Sequence, residues 1–170
     1  EIKKLEIGEQ KLHMTNFIIQ DLYKEVAESL FIKKEEKNIR CIIKKGCELP
    51  LAVNADKEKI RQVMINLVDN SIKYGKQNGI IEASFYNVDG KTVLIEISDD
   101  GYGIAEEHLS RIFERFYRTD LARSRKEGGS GLGLSICKHI VEAHGQTMHV
   151  RSKLDVGTSI GFSLSAKKDV

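Results

Sequence analysis

The period of the apolar positions changes several times along the chain, and each change predicts an element. After a lead-in with no usable pattern, Leu22, Val26, Leu30 and Phe31 recur at helical spacing. They predict a helix over 21–34, with Asp21 at the end where a short carboxylate can accept unpaired N–H groups. Two short runs, 38–44 and 51–54, read as strands, with Gly46 and the sole proline, Pro50, punctuating the link. From 56 to 74, Ile60, Val63, Met64, Leu67, Val68 and Ile72 fall at i, i+3, i+4, i+7, i+8 and i+12. This is the clearest amphipathic helix.

The period then drops to two. Ile81, Ala83 and Phe85 alternate with Glu82, Ser84 and Tyr86, Val93, Ile95 and Ile97 alternate with Leu94, Glu96 and Ser98, and Asp89-Gly90 lies between the runs. That is the pattern of an antiparallel hairpin. A short apolar helix is expected around Leu109, Ile112 and Phe113, followed by a charged stretch, RTDLARSRKEGG, that reads as a mobile loop. Leu132, Ile136, Ile140 and Ala143 predict a helix over 132–144, and strands follow at 147–152 and 158–164. Together these elements imply an α+β sandwich of two layers, a mixed but mostly antiparallel sheet with helices on one face.

Composition narrows the class without naming it. At 170 residues, 41% hydrophobic and 31% charged, the chain is long enough to bury roughly two-thirds of its unfolded surface and is not disordered. Lys plus Arg number 27 against 25 Asp plus Glu, and a net charge of +2 argues for neither nucleic acid nor an anionic membrane surface. No apolar run approaches the roughly 20 residues that cross a bilayer, and EIKKLEIGEQK lacks the apolar core of a signal peptide, so the chain is expected to be soluble. Cys41, Cys47 and Cys137 form no C-x-x-C pair, which disfavours a disulfide framework or zinc site and suits a reducing compartment.

Chemistry concentrates in four places. On the 56–74 helix, Asn66, Asn70 and Lys73 fall within about 60° of one another at the border of the apolar face. Asparagine weakens a helix interior, so its recurrence there suggests another role; a neutral amide oxygen suits Mg²⁺ and a lysine suits phosphate. A solvated polar face is the alternative. Next, Asp99-Asp100-Gly101-Tyr102-Gly103-Ile104 sits where the second hairpin strand ends. A carboxylate there can accept from an exocyclic amine while glycines let backbone pass close to a flat ligand, or the run is an ordinary Asp-Gly turn.

Third, Gly128-Gly129-Ser130-Gly131-Leu132-Gly133 opens a helix, so its N–H groups and the positive helix end suit an anion. It matches neither a Rossmann fingerprint nor a Walker A loop, and a plain hinge is the alternative. Fourth, Ile112-Phe113-Glu114-Arg115-Phe116-Tyr117-Arg118 places aromatics and a guanidinium between the two glycine clusters. The five histidines, 13, 108, 139, 144 and 149, show no metal spacing, and no nucleophilic triad can be argued.

In this order and separation, NLVDNSIKYG (66–75), DDGYGI (99–104), IFERFYR (112–118), GGSGLGLSICKHIV (128–141) and, more loosely, VGTSIGFSL (156–164) resemble one family. It is the catalytic ATP-binding domain of bacterial sensor histidine kinases, in the Bergerat-fold group that includes gyrase B, Hsp90 and MutL. The resemblance covers roughly residues 15–165 and implies ATP between the 56–74 helix, the glycine loops and a lid at about 105–130. It makes Asn70 the Mg²⁺ ligand, Asn66 its companion, Lys73 and Arg118 phosphate contacts, and Tyr74 an aromatic near adenine. Asp99 becomes the adenine reader; Gly101, Gly103 and Ile104 form the first glycine motif, and Gly129, Ser130, Gly131, Leu132 and Gly133 the second, with Thr158 completing the site. Ser130 stands where threonine is commoner, and Gly161 is expected to interrupt the last strand.

Gyrase- and Hsp90-like members carry a water-activating glutamate where this chain has Asn66, which cannot act as a base near pH 7. The resemblance therefore implies phosphoryl transfer to a histidine rather than hydrolysis. An anti-sigma-type serine kinase, a free ATPase and a nucleotide-binding module without transfer are the alternatives. It also implies residues 1–14 as the tail of a preceding helical dimerisation domain, 15–166 as the catalytic ATP-binding domain and 167–170 as a C-terminal tail. The chain would then be a monomeric piece of a homodimeric kinase whose histidine-bearing domain and response regulator are its partners. The domain would be cytoplasmic and the whole protein anchored in the inner membrane.

Overall fold

A computed structural model describes residues 11–114 and 133–169. The chain opens with strand β1 (Met14–Ile18), helix α1 (Ile19–Ser29), helix α2 (Phe31–Lys37) and strands β2 (Arg40–Ile43) and β3 (Ala52–Asp56). Helix α3 (Lys57–Lys73), strands β4 (Ile80–Asn87) and β5 (Thr92–Asp99), the single turn α4 (Glu106–Leu109), helix α5 (Gly133–Ala143) and strands β6 (Met148–Lys153) and β7 (Gly157–Ala166) complete it. Helices and sheet form the two layers expected.

Among the described residues the strands make one sheet in the order β1-β3-β7-β5-β4-β2. All pairings are antiparallel except β2 with β4. Strand β7 is the long spine: β5 runs along one side, while β6 pairs with Gly157–Phe162 and β3 meets Ser165 and Ala166 on the other. Val93, Ile95 and Ile97 of β5 and Ile60, Met64, Leu67 and Val68 of α3 are all buried in the core between the layers. The alternation of β5 thus points one side chain in two toward the helices.

Helix α3 begins where Asp56 caps it, its carboxylate accepting from Lys59 N at 3.2 Å and from His13 N at 3.0 Å. His144, at the end of α5, accepts the Asp56 N–H through Nε2 at 3.1 Å, and its Nδ1 lies 2.8 Å from the Ile140 carbonyl. One residue therefore joins the start of α3, the lead-in and the last helix.

Five expectations change. The lead-in is not featureless, because Met14–Ile18 forms an edge strand paired with β3. The predicted 21–34 helix is two helices that meet at Leu30, and Asp21 sits in the first turn of α1 rather than capping it; the N-cap is Ile18. Phe31, assigned to the apolar face, is 56% exposed, and α2 has no buried residue. Gly161 does not break β7: it pairs with Glu96 and His149 in register, and the His149 ring lies where a side chain on Gly161 would go. The apolar helix expected around Leu109 is only α4, followed by turns in which Ile112 is buried. Residues 1–10 and most of the proposed lid lie outside the described residues. Among the described residues no helix is long and apolar enough to cross a membrane.

Candidate nucleotide-binding site

The site is built at one end of the sheet, where the last turn of α3 meets the end of β5. Asn66, Asn70, Lys73 and Tyr74 are all half-buried on or just after α3, as the stripe at the edge of the apolar face requires. Asn66 turns toward α5, its Nδ2 lying 3.4 Å from the Gly133 carbonyl oxygen, and it shares a hydrogen bond with Cys137. Burial pushes the Cys137 thiol up to about 12, so it stays protonated. Among the described residues the Asn70 side-chain amide has no hydrogen-bond partner. Lys73 is ion-paired with Asp69, one turn earlier, at 3.3 Å.

Asp99 closes β5 opposite Thr158 of β7. Its Oδ1 accepts the Gly101 N–H at 2.9 Å, and it also accepts from the Thr158 backbone and the Ser71 hydroxyl. Even so, burial raises its pKa above the ordinary aspartate value, so desolvation outweighs those bonds. A desolvated carboxylate gains from each further donor that reaches it.

The loop after Asp99 is held on three sides. Tyr102 N donates to the Tyr74 carbonyl at 3.5 Å, the Tyr102 carbonyl accepts from Asp155 N at 2.7 Å, and Ile104 N donates to Ser152 Oγ at 2.8 Å. Lys76 Nζ sits 5.6 Å from the Tyr102 ring centroid and donates to the Asp155 carbonyl at 3.2 Å. Thr158 joins this network, its Oγ1 lying 2.7 Å from Ser152 Oγ. Two glycines are steric necessities. A Cβ on Gly101 would lie 2.7 Å from the Tyr74 carbonyl oxygen, and Gly103, at φ +76°, presses against the Lys153 carbonyl.

The structure thus brings Asn66, Asn70, Lys73, Tyr74, Asp99, Gly101, Gly103, Ile104, Gly133 and Thr158 to one end of the domain. Arg118, Gly129, Ser130, Gly131 and Leu132 lie outside the described residues. Three contributors carried no sequence signal: Ser71 and Asp69, which read as ordinary helix residues, and Lys76, beyond the helix end. Their roles come from partners 28, 36 and 79 positions away in the chain.

Residues 55–168 match the family model described as histidine kinase-, DNA gyrase B- and HSP90-like ATPase. The chain belongs to this family. Sensor histidine kinase YkoH of Bacillus subtilis is 47% identical over 115 residues, 68% of this chain and 25% of that protein. WalK of the same organism is 40% identical over 120 residues, covering 70% and 20%, and sensor protein SrrB of Staphylococcus aureus is 43% identical over 109, covering 64% and 18%. The chain therefore spans a quarter or less of these relatives. The nucleotide-free catalytic domain of histidine kinase ThkA superposes with a TM-score of 0.76 at 30% identity, over 91% of this chain and 98% of that one. Full-length ShkA in complex with AMPPNP gives 0.81 at 28%, over 95% and 33%. Membership of this ATPase family and the fold of histidine kinase catalytic domains support ATP binding by the chain.

Proposed function

We propose that the chain is the catalytic ATP-binding domain of a sensor histidine kinase, holding Mg²⁺-ATP for phosphoryl transfer to a histidine on a separate dimerisation domain. The observation that carries this reading is Asp99: a desolvated carboxylate at the end of β5, fixed by Gly101, Ser71 and Thr158 and followed by a turn whose glycines pack closely on neighbouring backbone. Such a group accepts the adenine amine and rejects guanine's carbonyl, which would leave both polar groups unpaired.

The residues present fit the metal as well. The Asn70 amide oxygen is a neutral oxygen donor without a protein partner among the described residues, of the kind Mg²⁺ takes while keeping water and phosphate oxygens. Bound there, the ion would neutralise phosphate charge. Asn66 orients the neighbouring part of the site through α5, and Lys73, Arg118 and the backbone of Gly129, Ser130, Gly131, Leu132 and Gly133 meet the phosphates. Tyr74 packs beside the base.

Asn66 supports transfer over hydrolysis, since an amide cannot take a proton from water near pH 7. Catalysis is then positioning and charge neutralisation. The phosphohistidine would pass its group to a response regulator; ThkA has been solved in complex with the response regulator TrrA. In this reading the whole protein is a homodimer anchored in the inner membrane.

The test is phosphotransfer in trans. A helix pair carrying an acceptor histidine from the chain's own kinase should gain acid-labile label from radiolabelled ATP when this chain is added, and lose it with Asp99→Asn. Label on serine, or phosphate release from ATP with no acceptor labelled, would instead favour a serine kinase or a free ATPase.

A further inference from the structure

The placement of Lys73 raises a question that the proposed function leaves open. Its ammonium does not stand alone at the site but pairs with Asp69 Oδ2 at 3.3 Å, while Asp69 Oδ1 accepts from Lys33 at 2.9 Å. One carboxylate, 19% exposed, thus divides between two cations, one on the proposed phosphate stripe and one on α2. At 100° per residue, Lys73 lies about 40° around α3 from Asp69 and about 60° from Asn70 on the other side. From one backbone position its long side chain reaches either neighbour.

Helix α2 is built for this contact. It buries no residue, and Phe31 and Ile32 face solvent. Its hold on α3 is polar: Lys33 takes Asp69, and Lys37 donates to the carbonyls of Ile72 at 3.0 Å, Lys73 at 2.6 Å and Gly75 at 3.4 Å. Lys37 therefore joins the Gly75 N–H on the Ile72 carbonyl, adds a donor to the carbonyls of Lys73 and Gly75, and fixes the turn from which Lys73 projects.

We infer that Asp69 is the resting counter-ion of Lys73 and that Lys33 alone holds its charge when Lys73 moves to the nucleotide's phosphates. Without Lys33, the departure of Lys73 would leave a half-buried carboxylate uncompensated beside the incoming phosphates, a repulsion that opposes binding. With Lys33 in place the carboxylate keeps a partner in both states. Asp69 and Lys33 are positioning residues, setting how readily the lysine is released without touching the ligand. The inference rests on the ATP-binding reading above.

The experiment is calorimetric titration of the chain with Mg²⁺-ATP and, separately, with adenosine, which has no phosphates. Exposed ion pairs of this kind shift affinity by about twofold to fivefold. Asp69→Asn should tighten ATP by that factor, Lys33→Met should weaken it by a similar factor, and Lys33→Arg should restore it. Adenosine affinity should follow none of these changes, and the ATP effects should shrink at high salt. In a Lys73→Met background Asp69→Asn should have no effect, whereas a merely local loss of negative charge would still tighten ATP. In an Asp69→Asn background Lys33→Met should likewise be silent. Wild-type binding of ATP with unchanged variants, equal shifts for adenosine and ATP, or an Asp69→Asn gain that survives Lys73→Met would each overturn this inference alone. Failure of the wild-type chain to bind ATP would overturn it together with the reading it rests on.

Discussion

Gly157 presses its backbone against the carbonyl of Asp99, so closely that a Cβ built on Gly157 would overlap the Asp99 carbonyl oxygen. Gly157 also has φ +146°, a conformation that side chains rarely adopt. The start of β7 thus sets the height of the strand end on which Asp99 stands.

Gly157→Ala should therefore damage fold and site together. Backbone strain and a forced separation from β5 predict a loss of about 2–4 kcal/mol in unfolding free energy, with weakened adenine-nucleotide binding. Urea unfolding and nucleotide titration of the same sample check this. Gly46→Ala makes a useful control, because nothing lies within 4 Å of a Cβ there although φ is +96°. It should cost only the strain of its backbone and leave affinity intact.

Asp99→Asn should separate stability from binding. The folded-state pKa of Asp99 is raised, so the neutral form is favoured by folding. Its ionised form costs stability at neutral pH, and that cost disappears as pH falls through the raised value. Asparagine keeps an acceptor for Gly101 without the charge, so unfolding at pH 7 should be no easier than in the wild type. Adenine-nucleotide affinity should fall by roughly tenfold or more with the loss of a charged acceptor. Acidification should weaken ATP binding to the wild type at higher pH than an ordinary aspartate would require. A variant that is both less stable and fully competent to bind would contradict this assignment.

Asn70→Ala should leave the fold intact, because the core contacts of α3 belong to Leu67, Val68 and Ile72, all buried. The Mg²⁺-dependent part of nucleotide affinity should drop by about tenfold or more, the scale on which even indirect supports of a metal ligand act. Titrations with Mg²⁺ and with chelator give the comparison, and an unchanged metal dependence would make Asn70 part of a solvated helix face.

Much of this was legible because periodicity reports burial directly. Helix α3 shows six apolar positions at helical spacing and is bounded within one or two residues by its capping Asp56 and by Tyr74. The hairpin was equally plain, since Asp89 accepts from both Lys91 N and Thr92 N in the turn between β4 and β5. Strand β1 was hidden for a physical reason. As an edge strand with its first three residues exposed it needs no alternation, and its pairing is set by β3, 34 or more residues away. The break at Leu30 was masked by Phe31 and Ile32, which continue the apolar pattern yet face solvent. The motif positions single out the proposed site, but Ser71 as a partner of Asp99 and Lys33 as a partner of Asp69 could not be found from spacing, because those contacts join distant elements.

The chain incubated with ATP should not label itself. His144 has both ring nitrogens engaged, by Asp56 N and the Ile140 carbonyl, and His149 pairs with Glu96 at 3.2 Å. His13 lies immediately before β1 with its backbone tied to Asp56. A phosphoryl acceptor must come within about 3–3.5 Å of the phosphorus and in line with the leaving oxygen, which residues held within the same domain do not do. Acid-labile label lost on replacing one of the five histidines would place the acceptor inside these 170 residues.

The most direct test of the central claim is a pair of calorimetric titrations, Mg²⁺-ATP and Mg²⁺-GTP into the same wild-type chain. A carboxylate that reads the adenine amine predicts saturable ATP binding and GTP binding weaker by at least about tenfold, the penalty for leaving polar groups unpaired. GTP bound as tightly as ATP would mean that Asp99 does not read the base.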